Sequence, residues 1–305
     1  MSNFIFNSYL YQLLTASSQH KVERFFLKIA IISFVIHLFL IFLFNSSFVS
    51  IAATTDLLKN PIAAIYTPFS FLLIYEVYLL IYYLPRSVTS YVNKQYEIIL
   101  LIIMRRLFKD LSNLKISSDW FTIKYDLQFT YDLLTSLLLF YLIYLFYSQS
   151  PKKYQEVLDD DEAEKGRLRY TVIKKNVASL LVPVVFILAI YSFFSWIIEL
   201  VETFDKSAEV FKNINNVFFE QFFSLLIIVD VILLLVSFFY TDEFHKVIRN
   251  SGFIISTILI RLSFTVEGIM NNTLVITAVV FGLLIIIIHN KFERNIQSEK
   301  TSLKL

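Results

Sequence analysis

The chain has 305 residues, 57% of them hydrophobic and only 17% charged, with a mean hydropathy of +0.65. That balance excludes an ordinary soluble domain and predicts an all-α integral membrane protein. A net charge of +2 without a basic, aromatic-interleaved face gives no case for nucleic acid, and the lack of cysteine excludes disulfides and thiolate metal sites.

Residues 1–20 include FIFNSYLYQLL, too short to span and without a positive n-region, and are expected as an interfacial helix. About eight apolar runs then approach the roughly 20 residues that cross a hydrocarbon core. They are Phe25–Phe44, Pro68–Leu84, Tyr96–Leu111, Phe129–Tyr147, Ala178–Val201, Phe222–Tyr240, Val247–Phe264 and Thr273–His289. Arginine interrupts the third and the seventh, which makes them the weakest. Between the third and fourth runs, Trp120 and Phe121 have the character of an interfacial anchor.

The connection from Ser148 to Lys175 holds the densest charge, including Asp159, Asp160, Asp161, Glu162 and Glu164. A solvated cytoplasmic loop is expected there, with a divalent cation on the carboxylates as the alternative. It divides the chain into residues 1–147, an interfacial helix plus four spans; 148–175, a charged linker; and 176–305, four spans plus a tail. With an even number of spans, the connections on the side of the termini carry most of the Lys and Arg. Both termini are therefore expected in the cytoplasm, in a cytoplasmic (inner) membrane. The Phe-, Ile-, Asn- and Lys-rich composition suits a bacterial source.

The two halves echo each other at a shift of about 154 positions. Glu76 and Asp230 each interrupt an apolar run, a polar linker follows, and Arg106 and Arg261 close the unit. Halves of four spans predict two parallel repeats about an axis along the membrane normal. In the first half, Glu76 lies about 12 Å below the start of its span and Arg105 and Arg106 about 14 Å up the next, so acid and base share a depth. Arg261 lies higher than Asp230, which predicts a closed pair in the first half and a displaced one in the second.

Charges at this depth each cost about 2.5–3.5 kcal/mol or more and are functional by default. Glu76, Arg105, Arg106, Asp230 and Arg261 are therefore the candidates for lining or gating a polar route. The alternative is pairing that only holds helices together. His37, inside the first span, is a candidate proton relay or a hydrogen bond to a neighbouring helix. Glu199 and Glu202, one turn apart, are either an acidic mouth or a solvated helix end, and Asp126 and Asp132 carry the same two readings.

No P-loop, G-x-S-x-G, H-E-x-x-H or His/Asp/Glu cluster at metal-ligand spacing occurs, so neither catalysis nor a cofactor is expected. No TVGYG filter occurs, and the fourth and eighth spans lack the regularly spaced arginines of a voltage sensor. Ion or proton transport through a channel-like route is the leading expectation. The lipid bilayer is the partner, an ion or small polar solute the cargo, and a homo-oligomer is compatible with both. A non-transporting sensor or assembly partner acting through residues 148–175 is the alternative.

Overall fold

The computed structural model describes residues 14–45, 61–111, 124–150, 161–202, 207–240, 243–266 and 268–302. Every regular element among them is helical: α1 (Ala16–Asn45), a 3₁₀ turn (Pro61–Ile65), α2 (Tyr66–Tyr83), α3 (Val88–Leu111), α4 (Lys124–Gln149), α5 (Asp161–Glu202), α6 (Ser207–Phe238), α7 (Phe244–Ser263) and α8 (Ile269–Ser302). Most of the N-terminal interfacial segment, the Trp120–Phe121 anchor, Asp159 and Asp160 lie outside the described residues, as do the side chains of Asp161, Glu162 and Glu164.

Among the described residues, five segments are long and apolar enough to cross a membrane: Ala16–Leu43, Asp126–Gln149, Leu168–Leu188, Gln221–Phe238 and Ile269–Ile296. The shorter Thr67–Tyr83 is apolar as well. Helices α3 and α7 fall short of that standard, and these are the two whose runs arginine interrupts. Phe25, Ile31, Val35, Phe39 and Phe42 stand exposed along α1, as they would on a helix whose solvent is lipid.

One expectation about organisation changes. The second part of the 148–175 connection is helix from Asp161 onward, continuous with the apolar run after it, so that α5 is 42 residues long. Its sequence DEAEKGRLRY is rich in strong helix formers, and acidic residues at its start complement the helix dipole. The chain also packs as two compact units. One comprises Met1–Tyr82, Leu101–Leu133 and Asn176–Phe223; the other comprises Tyr83–Leu100, Leu134–Lys175 and Ser224–Leu305. Long helices make this division natural, because the two ends of one helix have different neighbours.

In the first unit, Phe69 stacks on Phe108 with centroids 5.1 Å apart, joining α2 to the end of α3. In the second, Tyr96, Phe146 and Phe253 from α3, α4 and α7 pack ring against ring, at 4.9 and 5.6 Å. The Tyr96 hydroxyl donates to Ser256 Oγ at 2.7 Å, and Ser256 in turn donates to the Ala278 carbonyl on α8 at 2.6 Å. Helices α7 and α8 form a hairpin. Amides 264–266 bond back to the carbonyls of Arg261, Leu262 and Ser263, Asn271 Nδ2 caps the Ser263 carbonyl, and Gly268 takes the left-handed conformation at φ 71° that a side chain would resist.

Gly282 gives Tyr96 its place, since a Cβ there would lie 1.8 Å from the buried hydroxyl. Gly282→Ala is expected to destabilise the folded protein by about 1–3 kcal/mol. Adding Tyr96→Phe removes the clashing atom, so thermal unfolding in detergent should show the double variant more stable than the sum of the two single losses.

Candidate functional site

Apolar helices that carry charge must compensate it locally, and the structure does so differently around each acid. Asp230 sits in the run LIIVDVILLL of α6, 1% exposed, and Arg261 of α7 is 3% exposed. Arg261 Nη2 donates to Asp230 Oδ2 at 2.7 Å and to Gln95 Oε1 of α3 at 3.3 Å. The rise from 230 to 261 puts these residues at different distances along their own helices, yet they meet. The displaced pair expected in this half is instead a closed, fully buried one, because depth counted along ideal helices ignores where each run begins and the reach of the arginine side chain.

Around this pair the second unit gathers groups that sequence reasoning did not single out. Lys174 of α5 is buried, donates to the Arg86 backbone carbonyl, and lies 5.2 Å from the centroid of the Tyr170 ring. Its charge and that of Asp230 act on each other. Tyr91 and Gln95 also interact with the carboxylate, and Arg261 Nη1 is buried without a hydrogen-bond partner. A small cavity lined by Tyr91, Tyr170, Lys174, Asp230, Ser237 and Asn250, with apolar walls from Leu84, Val88, Leu233, Leu234 and Ile254, reaches the acid. It is lined by one carboxylate, one cation, Lys174, and the hydroxyl and amide groups of Tyr91, Tyr170, Ser237 and Asn250.

In the first unit the pairing is unlike the expectation. Arg106 forms a bidentate ion pair with Asp132 of α4, through Nε to Oδ2 and Nη2 to Oδ1, and Gln128 Nε2 donates to the same carboxylate at 2.7 Å. Glu76 is buried on α2, and the charge that acts on it is that of Arg105. Consecutive residues of a helix point about 100° apart, so two adjacent arginines serve two different acids. His37 Nδ1 of α1 is hydrogen-bonded to Thr67 Oγ1 at the start of α2. The backbone of Glu199 and Glu202 belongs to α5, and their side chains lie outside the described set. Asp126 is buried, with neither carboxylate oxygen hydrogen-bonded.

The chain shows no significant similarity to protein-family models, curated proteins or solved structures. Its chemistry is therefore argued from these residues alone.

Lys174 was countable from sequence only as one of several loop cations. The signal that it belongs to the site is the helical register of DEAEKGRLRYTVIKK, which carries Tyr170 and Lys174 on one face, four residues apart. Asp132, ambiguous in sequence, is the actual partner of Arg106.

Breaking the buried pair from one side strands a charge. Arg261→Met is expected to cost about 3–5 kcal/mol, much of which the double variant Asp230→Leu/Arg261→Met recovers. Arg106→Met should cost less, because Arg106 is 29% exposed and Gln128 still donates to Asp132. Unfolding in mild detergent compares the two, and equal losses would contradict this ranking.

Proposed function

We propose that this chain is a multi-pass protein of a cytoplasmic membrane and that it passes an ion or a proton along a polar route in which Asp230 is the central acid. The observation that carries the reading is the Asp230 cluster: a carboxylate and two cations held among apolar helices, beside a cavity lined by the further polar groups of Tyr91, Tyr170, Ser237 and Asn250. A pair that only fastened helices together would need no such polar-lined cavity. Five helices of spanning length and composition support the membrane setting, and the eight-span arrangement with parallel repeats is part of the proposal.

Within it, Arg261 holds the Asp230 side chain and sets its charge, while Lys174 and Tyr91 stand at the cavity where a passing ion or proton would exchange. Glu76 with Arg105 is a second acid within an apolar helix, and Arg106 with Asp132 is a closed brace. A second reading is favoured by Lys174 itself. It lies in the helical extension of the charged connection, so a partner gripping that connection would act on the Asp230 cluster and make the protein a sensor.

Proteoliposome flux separates these. Asp230→Asn, and to a smaller extent Glu76→Gln, are expected to lower ion or proton flux about tenfold or more while the folded protein is retained, as befits intramembrane acids that take part in passage. Flux unchanged in both variants refutes the route. Absence of flux in the native chain, with a binding partner lost on deletion of residues 151–160, selects the sensor.

Orientation has its own check. With both termini cytoplasmic, an impermeant thiol reagent should label Ser298→Cys only after cells are opened. Labelling from outside intact cells reverses the topology.

A further inference from the structure

Two histidines that are 44 positions apart in sequence come together where the start of α7 meets the later turns of α8. The His245 and His289 rings lie nearly parallel, with centroids 5.2 Å apart and an interplanar angle of 21°. Both direct Nε2 toward one carboxylate: Glu293 Oε1 is 3.0 Å from His245 Nε2 and 3.8 Å from His289 Nε2. Glu243 Oε2 is 3.3 Å from His245 Nε2. One candidate ligand atom from each of His245, His289 and Glu293 lies within 4.8 Å of the other two. We propose that His245, His289 and Glu293, with Glu243 as the fourth group, form a binding site for a divalent transition-metal ion of the zinc class.

The spacing argues for a metal. Ligands about 2.0–2.1 Å from a tetrahedral ion stand about 3.3 Å from one another, and the contacts to the shared carboxylate already bracket that value. The donor set is imidazole and carboxylate, which suits zinc and its neighbours and not calcium or magnesium. Glu293 follows His289 by four residues on one helix, and Glu243 precedes His245 by two. Short lever arms therefore place all four groups.

A cation already belongs at this point. Arg249 Nη1 donates to His289 Nε2 at 2.8 Å, while its Nε and Nη2 reach Asn250 Oδ1 at 3.3 and 3.2 Å. The guanidinium is a stand-in for the ion, and Asn250 is the acceptor that keeps it when an ion takes His289. His289 is 8% exposed, so its ring nitrogens must be satisfied from the groups packed against it. Both rings coordinate as neutral imidazoles, so any proton carried by a ligand nitrogen leaves as the ion binds.

The test uses the full-length chain purified without a histidine tag and titrated with Zn²⁺ alone. Binding of a single equivalent is expected, with a rise in unfolding temperature that a chelator reverses, and Co²⁺ in its place should give the intense visible absorption of a four-coordinate site. His245→Gln and Glu293→Gln should each weaken binding at least about tenfold, and Arg249→Gln, which removes the competing cation, should tighten it by about tenfold. Glu293 is at the partly exposed rim, so its variant reports even if a histidine change impairs folding. No binding by the native chain, an affinity unmoved by Glu293→Gln, or weaker binding in Arg249→Gln overturns the site.

Discussion

The structure of the second unit depends on one requirement: the Asp230 carboxyl is buried among apolar side chains and must be answered from other helices. Removing a carboxylate and a guanidinium from water costs several kcal/mol each, and their attraction offsets this only with good geometry and further hydrogen bonds. Arg261 supplies the geometry and Gln95 part of the remaining bonding. Because these come from α6, α7 and α3, with Lys174 from α5, the acid selects which faces of four helices turn toward one another. Leu or Ile at 230 would bury as readily and specify far less.

Apolar packing around the cluster follows the same logic of close fit. Tyr96 is wholly buried, and its hydroxyl begins a chain of two hydrogen bonds that ends on a backbone carbonyl of α8. Gly252 does for Ile285 what Gly282 does for Tyr96, leaving room where a Cβ would come within 2.8 Å. Scarce glycine in this chain is thus spent where α8 meets the neighbouring side chains and not on broken helices.

Apolar runs announced the helices, and arginine within two of them marked the two that fall short of a lipid-compatible composition. The acids and arginines within the apolar runs were equally legible as residues that need partners. Which partner each takes was not. Arg106 was matched to Glu76 by depth, yet adjacent residues on a helix face different ways, so Arg105 acts on Glu76 and Arg106 turns to Asp132 across a connection whose length hides the contact. The 148–175 stretch was read by its charge, and charge says nothing of helix continuity, so Lys174 and Tyr170 went unnoticed at the site. Histidines at 245 and 289 are single residues in unrelated contexts until the α7–α8 hairpin folds one onto the other.

The hairpin turn at Gly268 bears on the order in which the chain is made. Asp230 leaves the ribosome 31 residues ahead of Arg261, which at 5–20 residues per second is a wait of roughly 2–6 s. For a chain that inserts as proposed, the acid enters its apolar surroundings before its counter-charge exists. The short turn then brings α8 in directly behind α7, so that the arginine arrives on a helix whose own neighbour follows within seconds. On that proposal, the order of synthesis leaves Asp230 without Arg261 for this interval.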